Sequence, residues 1–199
     1  MRNTLFLFLG FTATAFIAQA GPPLICHPYN IGDAKSLPWS GGASWNAADP
    51  AYDVQNLVSD TLAILDRGAP VLVRMETLRR AVLYGANNHE AARSLLARLK
   101  QREESKSSAA ADFDYGYFLD SLHQIKWLYK EDLSAGMDGY AFVQKALALD
   151  PDSPEMHFAA AIMAASDPAR PSERDAHLAK ARAAKSDTLL AENLSTHFQ

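Results

Sequence analysis

An all-α protein built of antiparallel helical hairpins, entered through an irregular N-terminal arm, is the fold that the sequence predicts. Apolar residues recur at i, i+3 and i+4 in segment after segment from Tyr52 onward, and no stretch alternates with period two for long enough to form a strand. The prolines fall before residue 52 or between the rhythmic segments, where they interrupt no helix. Short loops between such helices force antiparallel neighbours, and several hairpins in a row make a short right-handed α-solenoid. The chain has 199 residues, 48% hydrophobic and 21% charged, which is enough apolar material for one buried core. Its net charge is −4 and no Lys/Arg stripe is present, which disfavours nucleic acid as a partner.

The first element, residues 1–20, has a single basic residue (Arg2), an apolar run over 5–17 and the small-x-small triplet Ala18-Gln19-Ala20. These are the parts of a secretory signal peptide cleaved after Ala20. No later segment approaches the roughly 20 apolar residues of a membrane span, so a periplasmic or secreted chain is expected. The lone cysteine, Cys26, cannot cross-link the fold internally, and packing alone must hold it.

Residues 21–51 carry five prolines, Pro22, Pro23, Pro28, Pro38 and Pro50, so no helix runs through them. They also carry Leu24, Ile25, Tyr29, Ile31, Leu37, Trp39 and Trp45, too many large apolar groups for a solvated linker. This is an arm that should pack on the helices.

The helical region is 52–199. Val54, Leu57, Val58, Leu62 and Leu65 make the first helix, closed by Gly68; Pro70 starts the second, with Val71, Met75, Leu78 and Val82 on one face and an end near Gly85. Asn87 is the expected N-cap of the third, with Glu90 in capping-box position and Leu95, Leu96 and Leu99 following. Residues 112–130 read as one thick aromatic helix. Tyr140, Val143 and Leu147 mark the next. Ser153-Pro154-Glu155 opens another, Ser172 with Asp175 the seventh, and Asp187 the last, running to about Thr196.

Ala146, Leu147, Asp150 and Pro151, followed by Ser153-Pro154-Glu155, resemble the end of one tetratricopeptide repeat and the start of the next. There a small residue lets two helices approach, a leucine fills the groove between repeats and a proline stops the second helix. The resemblance covers residues 139–185, with Gly139, Val143, His157, Ala160 and Ala161 at family positions. It implies a protein or peptide partner taken on the inner face of the superhelix, and it nominates His157. The opening of the arm also resembles that of bacterial exported proteins, which implies a bacterial periplasm.

The chemistry-bearing residues form no complete catalytic constellation. Cys26-His27 offers two ligand types for zinc or copper where a closed zinc site uses about four, so a metal or thiol-redox protein is the alternative reading. His89-Glu90 lacks the second histidine of a metalloprotease helix, because Arg93 stands in its place. Arg74, Glu76, Arg79 and Arg80 read as a solvated face laced by i, i+3 and i, i+4 pairs. The aromatic set around residue 118 covers more than one helix face, which makes Tyr115, Tyr117 and Trp127 candidates for a binding surface. The expectation is a binding protein with no cofactor and no catalytic residue.

Overall fold

A computed structural model describes residues 24–41, 45–105, 108–134, 136–184 and 187–198; the signal segment predicted at 1–20 lies outside them. Among the described residues every regular element is helical, apart from one isolated bridge between Trp39 and Ala48. A single 3-10 turn, Val54–Asn56, leads into α1 (Leu57–Asp66), α2 (Val71–Gly85), α3 (His89–Ser105), α4 (Ala109–Gln124) and α5 (Lys126–Tyr129). After these come α6 (Gly139–Leu149), α7 (Pro154–Ala165), α8 (Pro171–Arg182) and α9 (Thr188–His197).

Most starts are capped as local chemistry requires. Ser108, Asp138, Ser153 and Asp187 each accept a hydrogen bond from the backbone N–H three residues on, and Pro154 stands at N1 of α7. Three starts or ends differ from expectation. Asn88, not Asn87, caps α3, its Oδ1 accepting from Ala91 N. At α8 Pro171 opens the helix after Arg170 with no side-chain cap, and Ser172 Oγ turns instead to Glu173. The helix expected over 112–130 breaks at Ile125 and ends at Lys130 in the left-handed region (φ 56°). The break lets Tyr129 lie buried with its hydroxyl donating to Val82 O at the end of α2, a contact that a straight continuation of α4 would not make.

Three helices are buried on nearly every side: α2 from Leu72 to Gly85, α4 from Ala111 to Leu119 and α7 from Met156 to Ala164. The other helices pack around them, α4 lying along α6 and α7 along α8. Between α4 and α6 the backbones nearly touch. A Cβ on Gly116 would stand 2.5 Å from Gly139 O and 2.7 Å from Phe142 Cβ, so glycine is what allows this approach.

The arm covers the outward side of α2 and buries Leu24, Ile25, Tyr29 and Leu37. It is held by the charges expected on a solvated face, and this corrects that expectation. Glu76 and Arg79 are wholly buried. Glu76 Oε2 accepts from Arg79 Nε (2.7 Å) and from the arm's Tyr29 N (3.0 Å), while Oε1 accepts from Arg80 Nε (2.7 Å). Arg79 Nη1 donates to Ile25 O and Trp45 O, and Arg80 Nη1 to Leu37 O. The Trp39 ring covers both guanidinium groups, at 4.9 and 5.6 Å. Arg74 is likewise buried: it grips Asp114 with Nη1 and donates to Leu65 O and Ala69 O. An arm with one bridge and no helix leaves backbone carbonyls unpaired, and the guanidinium forks of α2 supply donors to three of them.

Candidate functional site

At one end of the α4–α6 pair, beyond the Gly116–Gly139 contact, lies a cleft of about 420 Å³. The last turn of α4 gives Asp120, His123 and Gln124; the N-terminus of α6 and the residues before it give Met137, Asp138, Gly139 and Tyr140. The end of α7 and the loop after it close the far wall with Met163, Ser166, Asp167, Pro168 and Arg170.

Nearly every polar group of the wall has a partner. Asp138 caps α6 through Oδ1 and accepts from Arg170 Nη2 at 3.0 Å through Oδ2. Asp167 holds Arg170 Nε at 2.9 Å and also accepts from Ala169 N. The Arg170 guanidinium lies over the Tyr140 ring at 4.3 Å, and the Tyr140 hydroxyl meets His177 Nε2. Gln124 Oε1 accepts from Leu24 N at 2.7 Å, while its Nε2 donates to Ser166 Oγ at 2.8 Å, so one wall residue ties the start of the described arm to the cleft rim.

Asp120 is the exception. As a residue it is half-buried, yet its Oδ2 is buried without a hydrogen-bond partner. Burial pushes its carboxyl up to about 7, nearby Asp138 pushes the same way, and Arg170 only partly offsets them. A buried acceptor left unmade costs about 1–3 kcal/mol, more if it is ionised. His123 Nδ1 stands 3.4 Å from Ser134 Oγ, but that serine is buried and its hydroxyl donates to Asp132, so the pair makes no activated nucleophile.

Of the residues nominated by sequence, Tyr115 is buried, its hydroxyl donating to the sulfur of the cleft residue Met137 at 3.1 Å. Tyr117 is wholly buried and donates to the Tyr29 hydroxyl at 2.7 Å under the arm. Trp127 is 64% exposed on α5, away from the cleft wall. His157 is buried beside His177, the two Nδ1 atoms 2.8 Å apart. Since His157 Nε2 meets the carbonyl of Pro151, that nitrogen carries the proton, its Nδ1 accepts, and His177 Nδ1 donates. Burial lowers the pKa of both, that of His177 to about 4.

Cys26 is half-buried and burial raises its thiol pKa, while His27 is exposed with its ring edge-on to His197 at 5.5 Å. Among the described residues, no three His, Cys, Asp or Glu side chains stand together in a metal-holding arrangement. No described helix is long and apolar enough to cross a membrane.

Sequence reading passed over Asp120. The signal available was an acid toward the C-terminal end of a helix whose neighbours are Tyr117, Phe118, Leu119 and Leu122, a place where a charge is costly unless it is used. Compared with known proteins, the chain matches no family model, no curated protein and no solved structure.

Proposed function

We propose that this chain is an exported binding module, not an enzyme. Its cleft takes one side chain or chain end of a protein or peptide partner, and its hairpins stack as a short tetratricopeptide-like solenoid. The observation that carries the reading is the orphaned Asp120 Oδ2 on the wall of an open cleft, a built acceptor that no side chain among the described residues fills. Met137, Met163, Tyr140 and Pro168 give the cleft an apolar lining around that acceptor, the combination that holds an amphipathic group. The tetratricopeptide reading draws support from the order α6, Pro151, α7, with Ala146 and Leu147 buried and Pro151 between the two helices. Export draws support from the Ala18-Gln19-Ala20 triplet.

The test is a selection from a library of random N-acetylated decapeptides on the intact chain. Retained peptides should share one residue type. They should be lost from Met137→Trp, which fills the cleft from a position 36% exposed, with the melting temperature measured alongside to show that the variant is folded. Peptides retained equally by the plugged variant would overturn the reading.

A further inference from the structure

We infer that the cleft is a site for a primary ammonium group on an alkyl stem, with Asp120 Oδ2 as its counter-ion; this rests on the binding reading above. The charge arrangement is one-sided. Asp120, Asp138 and Asp167 line the wall against one permanent cation, Arg170, which is already divided between Asp138 and Asp167. His123, on the same helix as Asp120, stays turned to Ser134. Gln124 Nε2 donates to Ser166 Oγ, the Ser166 hydroxyl donates to Ile162 O, and neither side chain bonds Asp120 Oδ2. What the site lacks is therefore a donor that also brings positive charge.

A compact ammonium meets that need from a single oxygen, whereas a guanidinium fork requires two acceptors in one plane. The thioethers of Met137 and Met163 and the ring of Tyr140 suit an alkyl stem behind the charge. A bare metal ion is not served, since no set of three ligating side chains stands together among the described residues.

Two sources carry this chemistry: a lysine side chain of a partner, and the chain's own α-amino group. A cleavage after Ala20 makes Gly21 the first residue, and the three residues ahead of Leu24 can span about 10 Å. Leu24 N is bonded to Gln124, and Asp120 lies one turn back along α4, about 6 Å, so the new amine has the reach.

The experiment uses the exported chain with a free N-terminus and the same chain acetylated at that amine. Each is titrated calorimetrically with Nα-acetyl-lysine methylamide, with the arginine analogue as comparison. The lysine probe should bind about tenfold more tightly at pH 8 than at pH 6, as Asp120 ionises, and should lose binding and pH dependence in Asp120→Asn. Binding to the acetylated chain alone, with an N-terminal amine that acylates faster in Asp120→Asn than in the parent, assigns the chain's own amine as occupant. Equal binding to both chains assigns a partner's lysine. No lysine-probe binding to either chain, with amine reactivity unchanged by Asp120→Asn, overturns the inference, as does preference for the arginine probe. The two readings fail separately: cleft-dependent peptides without lysine overturn the ammonium site and leave partner capture standing, and amine binding with no selected peptide does the reverse.

Discussion

His197 shows what a single buried ring contributes to the response of this protein to acid. It is 4% exposed and stacks on Tyr29 at 4.8 Å with Phe158 edge-on, and neither ring nitrogen has a partner. Burial lowers its pKa to about 4, His27 and Arg79 push the same way, and Glu76 opposes. The unfolded chain takes up a proton near pH 6.5 and the folded chain does not, so stability falls as pH drops from about 6.5 toward 4. Asp114 and Asp120, raised by burial to about 6 and about 7, act in the opposite sense, binding protons when folded that the unfolded chain would release. A variant isolates the histidine from them. His197→Phe keeps a ring against Tyr29 and removes the titration, and its advantage over the parent should grow by roughly 2 kcal/mol between pH 7 and pH 5. Urea denaturation at the two pH values measures it. An advantage independent of pH would mean that His197 takes up its proton as readily in the folded chain as in the unfolded one.

At the scale of elements, the contact of α4 with α6 sets the geometry of the cleft. Gly116 and Gly139 place carbonyls and backbone nitrogens where other residues would place a Cβ, and Asp120 follows Gly116 by one turn. Gly116→Ala would drive a methyl into Gly139 O and Phe142, with no flexible side chain able to yield first. The expected cost is about 1–3 kcal/mol in chemical denaturation, as for overpacked cores generally. Ala in place of Gly gains helix propensity, about 1 kcal/mol, so a stabilised variant would show that the two helices separate without strain. Helix identity was legible here and helix contact was not. The apolar period announced α4 and α6, and Ser153-Pro154 announced α7, because a period and a cap both act within a few residues of themselves. The break at Ile125 was hidden, because its reason is a bond from Tyr129 to Val82 that is 47 residues away in sequence.

The whole molecule rests on the union of arm and helices. Tyr29 N, Ile25 O, Leu37 O and Trp45 O all end on Glu76, Arg79 or Arg80, and Asn30 is further tied to Asn193 of α9 by bonds in both directions. Replacing Glu76 by Gln leaves two guanidinium groups against the arm without their counter-ion, one wholly and one mostly buried. Breaking a buried pair in this way costs about 3–5 kcal/mol. The variant should lose that amount in urea denaturation and should be cut within the arm by trace protease under conditions where the parent resists. Cleavage of the parent in the arm at the same rate would show that the arm opens independently of α2.

By itself the sequence determined that the protein is helical, where most helices begin and end, and that an arm over 21–51 is expected to be apolar and free of helix. These follow from local rules: hydrophobic period, capping side chains and proline all act within a turn or two of chain. The sense of the charges on α2, the identity of the cleft and the importance of Asp120 were decided only by the tertiary structure. Glu76, Arg79 and Arg80 have the spacing of an exposed salt-bridged face, and nothing local distinguishes that from a buried cluster waiting for an arm. Asp120 looks like any acid on a helix until α6 and the α7–α8 loop surround it and leave one oxygen without a donor. Burial is a property of what packs against a residue, and for these residues the packing partners stand far away in the chain.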